Sequence, residues 1–237
     1  MSKLKDYITK NFYNIKWNEK LNILNHIMEG LSHLHNQKII HRDFHSGNIL
    51  YENEYDIVIS DLGISKSSIS NEKDNEIYGV IPYVAPEIFQ GQKYTKASDI
   101  YSFGMIMYFV ATGRQPFADR AHDQDLALSI CNGIRPEITE KEAPKCYIDL
   151  MKKCWDPNPD NRPNAREIGD EIVLFEESGD EIEKQFEEAY EYKKENLSHI
   201  GNNQTTTHPQ AIYTSRLLNP YTTDLINIDW SENNNDQ

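Results

Sequence analysis

From Ile100 to Ala111 the chain reads IYSFGMIMYFVA. A helix that is apolar on every side has no face to offer water, so it is either enclosed by protein or immersed in lipid. Spanning a bilayer takes about 20 such residues, and this run is too short. It therefore predicts a helix through the middle of a globular core. Ser98 and Asp99 stand where it begins, and Gly113 stands where a left-handed cap would end it. A chain of 237 residues is long enough to wrap one ordinary domain around that helix and to carry an appendage.

The wrapping is also visible in the pattern. Trp17, Leu21, Leu24, Met28, Leu31 and His35 recur every three or four residues, as in a long amphipathic helix. LKDYI, from Leu4 to Ile8, is a short helix before it. Three more helices are expected over Asp123 to Cys131, Pro144 to Trp155 and Ala165 to Phe175, the last with Asn164 and Glu167 at capping-box spacing. Short β-type runs centre on Ile39, Ile49 and Val58. The segment from Leu62 to Ile81 is rich in Ser, Asn and acids and reads as a mobile loop.

Past Glu177 the character changes. Ile182, Phe186, Ala189 and Tyr190 form one stripe of an acidic helix, which reads as a packing face. The sequence from Glu177 onward holds 12 acids and 4 bases, and so supplies -8 of the formal net charge of -14. Three segments are expected: a globular unit over 1–176, an acidic amphipathic helix over 177–197, and a disordered tail over 198–237. AIYTSRLL, from Ala211 to Leu218, is an apolar island in that tail that could dock. The fold class is mainly α with short β-strands.

An acidic balance argues against nucleic acid or an anionic membrane as partner, since both attract basic faces. Cys131, Cys146 and Cys154 make an odd count without a C-x-x-C, which disfavours a disulfide frame or a zinc site. The start, MSKLKDYITK, has no apolar run of the kind a signal peptide needs. A protein of a reducing, cytoplasmic compartment is expected.

The stretch that carries chemistry is HRDFHSGNILYENEYDIVISDLG, from His41 to Gly63. It sets Asp43, Asn48 and Asp61 among strand-like runs that can hold them rigidly. Transfer of a phosphoryl group asks for little covalent help: a carboxylate to orient the acceptor hydroxyl, and hard oxygen ligands for Mg²⁺ on the phosphates. Asp43 can take the first role, and Asn48 with Asp61 the second.

These residues resemble those of eukaryotic protein kinases. His41-Arg42-Asp43-x4-Asn48 is similar to their catalytic loop, Asp61-Leu62-Gly63 to their metal-binding triplet with Leu for Phe, and Ala85-Pro86-Glu87 to their A-P-E. SDIYSFGM resembles the start of their buried central helix, whose Asp, here Asp99, braces the catalytic loop. CWDPNPDNRP resembles the segment whose Arg, here Arg162, pairs with the A-P-E Glu, here Glu87. Trp155 after Cys154 points to the tyrosine-kinase-like group. The resemblance covers Leu4 to Phe175 and implies ATP and Mg²⁺ as cofactors and a protein as substrate, in a signalling context. It implies Asp43 as catalytic residue, Asn48 and Asp61 as metal ligands, Leu50 as floor of the adenine pocket, and His41 as a structural residue beneath Leu62. His45 stands where Ser/Thr kinases usually carry a phosphate-contacting Lys. Val80 stands where a hydroxyl residue usually faces the catalytic Asp, in Gly79-Val80-Ile81-Pro82-Tyr83. Ser and Thr are preferred over Tyr as acceptors. Ser65, Ser67, Ser68, Ser70 and Tyr78 are candidate phosphorylation sites in the activation loop, with Arg42 as counter-charge.

The same resemblance marks what these residues do not supply. Gly30 is the only glycine before Gly47, so no G-x-G-x-x-G precedes the catalytic loop, and no early lysine sits in a V-A-I-K strand. The expectation is a kinase C-lobe without the β-rich N-lobe, inactive on its own. Two alternatives stand beside it. One is a pseudokinase-type binding module whose exposed lobe face or acidic tail contacts a protein partner. The other is a small-molecule kinase, which Arg42, the A-P-E triplet and the Glu87–Arg162 pattern fit less well.

Overall fold

Every residue from Ser98 to Thr112 is buried, as the apolar run requires. The computed structural model describes residues 1–53, 55–68, 76–177, 179–196, 207–222, 225, 228 and 230. Its helices are α1 (Leu4–Asn11), α2 (Trp17–Asn36), α3 (Pro86–Phe89), α4 (Lys96–Thr112), α5 (Gln124–Cys131), α6 (Lys145–Cys154), α7 (Ala165–Glu177), α8 (Asp180–Glu195) and α9 (Asn219–Thr222). Short strands β1 (Ser2–Lys3), β2 (Ile39–Ile40), β3 (Ile49–Asn53), β4 (Asp56–Ile59), β5 (Lys66–Ser67), β6 (Tyr78–Gly79) and β7 (Arg216–Leu217) form three antiparallel groups, ordered β1-β3-β4, β2-β5 and β6-β7. The fold is thus mainly helical with small sheets. Among the described residues no helix is long and apolar enough to cross a membrane.

The central helix α4 is set by its ends. Thr95 and Ser98 form a reciprocal capping box at its start, so two backbone N–H groups that have no helical partner are satisfied. Gly113 ends it at φ 69°, its N–H donating to the Phe109 carbonyl at 2.8 Å. A Cβ at this position would also stand 2.7 Å from the Phe12 ring, so both backbone and space require glycine. Helices α2 and α6 pack on α4, and α7 lies along α2. Asn164 and Glu167 make the expected capping box on α7: the Asn164 N–H donates to Glu167 Oε2 at 2.8 Å, and the Glu167 N–H to Asn164 Oδ1 at 3.1 Å.

The acidic helix α8 docks through the stripe that its sequence marks, with Phe186 and Ala189 buried and Phe186 edge-on to Trp17. Lys193 extends from its last turn to donate to the Phe12 and Ile15 carbonyls at 3.2 and 2.9 Å. Lys20 lies nearby, buried, its ammonium 2.9 Å from the Ala111 carbonyl and 4.5 Å from the centre of the Phe12 ring. Burial lowers the pKa of both amines, to about 8 for Lys193, and the charge of Lys193 lowers Lys20 further.

One corner of the fold is tied by a buried ion pair. Arg162 grips Glu87 with two parallel bonds of 2.7 and 2.8 Å, and also donates to the Ala97 and Asp156 carbonyls. This fixes α3, the start of α4 and the chain before α7 to one another.

Of the tail expected to be disordered over 198–237, residues 207–222 are ordered, and 198–206 and 231–237 lie outside the described residues. Residues 207–222 lie against the globular unit: β7 pairs with β6, Leu218 is fully buried, and α9 packs against α5. The apolar island at Ala211–Leu218 does dock. The polar residues around it join through backbone hydrogen bonds, which their composition does not announce. Of the expected mobile loop over Leu62–Ile81, residues 62–68 and 76–81 include β5, β6 and two short 3₁₀ turns, and 69–75 lie outside the described residues.

Two outcomes are expected. Arg162→Met leaves Glu87 buried and unpaired and should lower unfolding free energy by about 3–5 kcal/mol in guanidinium titrations; a loss under 1 kcal/mol would show that the pair is not a tie. Lys193 has a depressed pKa when folded, so the unfolded chain binds more protons between about pH 8 and its ordinary value near 10.5. The stability of the wild type relative to Lys193→Met should therefore rise from pH 7 to pH 10; a flat difference contradicts the burial of that amine.

Candidate active site

Loop 41–48 is held from below by one carboxylate. Asp99, from the first turn of α4, accepts from the backbone N–H groups of His41 and Arg42 at 2.9 and 3.0 Å and from His35 Nε2 at 2.9 Å. Arg42 sits at φ 74°, a conformation that costs any residue with a Cβ free energy, which its surroundings have to offset. Two bonds to consecutive N–H groups supply that offset. The Arg42 side chain donates to the Ile64 carbonyl at 3.2 Å and lies 4.5 Å over the Tyr94 ring.

His41 is fully buried, but its partner is not Leu62. Its Nε2 lies 3.0 Å from the Ser60 carbonyl and its Nδ1 accepts from the Asp43 N–H at 3.3 Å. Since Nδ1 accepts, the ring proton is on Nε2 and is donated to Ser60. Leu62 stands in a 3₁₀ turn with 43% of its surface exposed.

Asp43 is buried at the end of this loop. Asn48 Nδ2 donates both to its carbonyl, at 2.9 Å, and to its Oδ2, at 3.1 Å. His45 Nε2 faces Asp43 Oδ1 at 3.6 Å. His45 Nδ1 accepts from the Gly47 N–H at 3.0 Å, so here too the proton is on Nε2, toward the carboxylate. Burial alone would raise the Asp43 pKa. The facing His45 imidazole, the Ser215 hydroxyl and the Asn48 amide outweigh it and hold the carboxyl below its ordinary range. Asp43 is thus poised as an anion. Gly47 makes this arrangement possible, because a Cβ there would lie 2.7 Å from the His45 ring.

Asn48 is linked to Asp61 through Ser60. The Ser60 N–H and hydroxyl both donate to the Asn48 carbonyl at 2.9 Å, and the antiparallel pairing of β3 with β4 sets Ile49 opposite Ile59. Asp61 follows at φ 62°, exposed, its carboxylate without a hydrogen-bond or ion-pair partner among the described residues. With Asn48 Nδ2 committed to Asp43, the donors left for a cation are Asn48 Oδ1 and the Asp61 carboxylate. Two hard oxygens suit Mg²⁺, which keeps several waters. Among the described residues no group of three or more His, Cys, Asp or Glu side chains converges as a metal cage.

Leu50 lies half-buried on β3, directly opposite Val58 on β4, which is 45% exposed. Opposed residues of an antiparallel pair share a face, so the two make a small apolar platform. In the activation segment, Ser65, Ser67 and Ser68 are described, Ser65 bonding the Leu62 carbonyl. Ser70 lies outside the described residues. Val80 is buried and has no hydroxyl to offer Asp43. The hydroxyl beside Asp43 is that of Ser215, which sequence reasoning did not single out beyond the apolar island. Gly47 was equally unmarked; its only signal was its place between His45 and Asn48.

Known proteins are similar to this chain in sequence. Residues 1–172 match the family described as protein tyrosine and serine/threonine kinase. Human receptor-interacting serine/threonine-protein kinase 1 is 32% identical over 197 residues, which is 73% of this chain and 29% of that protein. Receptor-like protein kinase 5 of Arabidopsis thaliana is 36% identical over 182 residues, 69% of this chain and 18% of its own. A serine/threonine-protein kinase/receptor of Acanthamoeba polyphaga mimivirus is 32% identical over 182 residues, 76% of this chain and 11% of its own. The chain therefore spans between about a tenth and three tenths of the length of these relatives.

The setting of Asp43 generates a prediction. His45→Ala removes the strongest influence that lowers the Asp43 pKa, so that pKa should rise. The measurement is the pH titration of the Asp43 side-chain carboxyl by ¹³C NMR. An unchanged midpoint would remove His45 from the site.

Proposed function

The chain belongs to the protein tyrosine and serine/threonine kinase family, and from that premise we propose that its cleft serves Mg-ATP-dependent phosphoryl transfer to protein hydroxyls, with Ser or Thr preferred over Tyr. The observation that carries this reading is the Asp43–Asn48–Ser60–Asp61 chain of contacts. It holds one carboxylate as an anion and ties the strand that ends in Asp61 to Asn48.

In this reading Asp43 orients the acceptor hydroxyl and takes its proton, and Asn48 fixes the Asp43 carboxylate through Oδ2. Asn48 Oδ1 and Asp61 would hold Mg²⁺, which when bound draws off charge developing on phosphate oxygens. Leu50, with Val58, offers an apolar floor for an adenine ring. His45 keeps Asp43 ionised and, when protonated, adds positive charge near the phosphates. The three cysteines are free thiols, which suits a reducing compartment such as the cytoplasm.

These 237 residues carry the floor of such a site. A glycine-rich cover and a strand lysine for the phosphates are not among them. Without that cover the phosphates would face water, where each charge interaction is weak. As a lone polypeptide the chain is then a C-lobe with little transfer activity, and the cover has to come from further sequence or from a partner.

Thermal unfolding with ATP, with and without Mg²⁺, is the test. Nucleotide at about 100 times its Kd should stabilise by about 2.7 kcal/mol, only with Mg²⁺ present, and Asp61→Asn should abolish the shift. A shift that ignores both Mg²⁺ and Asp61 would overturn the ligand assignment. Robust Asp43-dependent transfer from ATP by the chain alone would show that no cover is needed.

A further inference from the structure

Residues 207–222 follow a defined path. The His208 N–H donates to the Ala118 carbonyl at 2.8 Å, and the Gln210 carbonyl accepts from the His122 N–H at 3.0 Å. The Ile212 N–H donates to His122 Nδ1 at 3.1 Å, while His122 Nε2 donates to the Phe117 carbonyl at 3.1 Å. The Tyr213 hydroxyl bonds the Pro116 carbonyl at 2.9 Å. Arg216 and Leu217 then pair antiparallel with Gly79 and Tyr78, and Arg216 also donates to the His122 carbonyl. The Leu218 N–H reaches the Ile77 carbonyl, and the Ile77 N–H reaches Asn219 Oδ1, both at 2.7 Å. Leu218 is fully buried.

This is an extended peptide added as a strand to the activation segment, with side chains seated on either side of the pairing. Its position relative to the chemistry is specific. Ser215 immediately precedes β7, and the pairing of Arg216 with Gly79 carries the strand past Asp43. Gly79, opposite Arg216, has φ 147°, which residues with a side chain rarely adopt, and its Cβ position lies 3.0 Å from Val84 and 3.6 Å from Asp43 Oδ1, so the strand runs directly beside the carboxylate.

We propose that residues 207–222 occupy, in cis, the groove in which a protein acceptor would lie, with Ser215 at the acceptor position, and exclude other acceptors while they stay. The acceptor class follows from the occupant: an extended segment with a hydroxyl residue, then Arg, then two apolar residues. Calling this groove the acceptor groove rests on the kinase reading above; the docking and the exclusion are tested without nucleotide.

The probe is a fluorescent peptide of residues 207–222, THPQAIYTSRLLNPYT, added to the full chain. The wild type should bind it at least tenfold more weakly than a chain carrying Arg216→Ala and Leu218→Asp, whose own segment is released. A peptide phosphorylated at the Ser215 position should bind the released chain at least tenfold more weakly than the plain one, because its phosphate would meet the Asp43 carboxylate. Equal affinity of both chains, or no binding by either, overturns the proposal, and equal affinity of both peptides overturns the acceptor position of Ser215. Should the double variant fail to fold, hydrogen exchange on the wild type decides. A protected Leu218 amide supports docking, and exchange at the free-peptide rate sinks it. The Mg-ATP experiment reads the kinase assignment separately, so either can fail alone.

Discussion

The Asp99 carboxylate does for loop 41–48 what no local sequence preference could. It spends both oxygens on two consecutive backbone N–H groups and still accepts from His35. Hydrogen bonds to a carboxylate are about twice as strong as neutral ones, and here they offset the left-handed backbone at Arg42. With that backbone fixed, His41 reaches Ser60, Asp43 faces Asn48 and His45, and the strand that ends in Asp61 is held to the same frame. Asp99 itself is buried in the first turn of α4, which is enclosed from Ser98 to Thr112. The geometry around Asp43 thus derives from the apolar run through a single side chain.

Much of this was legible in the residues. The apolar run, the helix periodicities, Gly113 and the Asn164–Glu167 box are local signals, and each element formed where they pointed, with boundaries shifted by up to four residues. The Asp99 brace and the Glu87–Arg162 pair were legible only through resemblance, since partners 57 and 75 positions apart leave no local mark. The tail was not legible as an ordered segment. Its Asn- and Thr-rich composition promises little apolar burial, and only AIYTSRLL stood out. What orders it is backbone pairing with residues about 140 positions earlier, and composition does not encode that. His41 was assigned to Leu62 by analogy, and the Ser60 carbonyl that its ring donates to left no mark in the sequence.

Charge is managed in the same manner throughout an acidic chain. Among the described residues the buried basic side chains Lys20, Lys193 and Arg162 all donate to backbone carbonyls, which satisfy them without adding net charge, and of the three only Arg162 also has a carboxylate. At the site the pattern is reversed. A buried anion, Asp43, is supported by an amide, an imidazole and a hydroxyl rather than by Lys or Arg. Such partners stabilise the anion without quenching it, which leaves Asp43 able to accept a proton.

Because the segment paired with β6 belongs to the same polypeptide, its hold on the cleft does not depend on how much protein is present. A tethered segment acts at an effective concentration on the order of millimolar. Dilution cannot open the cleft, and a free competitor of equal intrinsic affinity would need comparable amounts to displace it. Whatever lengthens or stiffens the connection to α8 changes that threshold without touching a single contact in the groove.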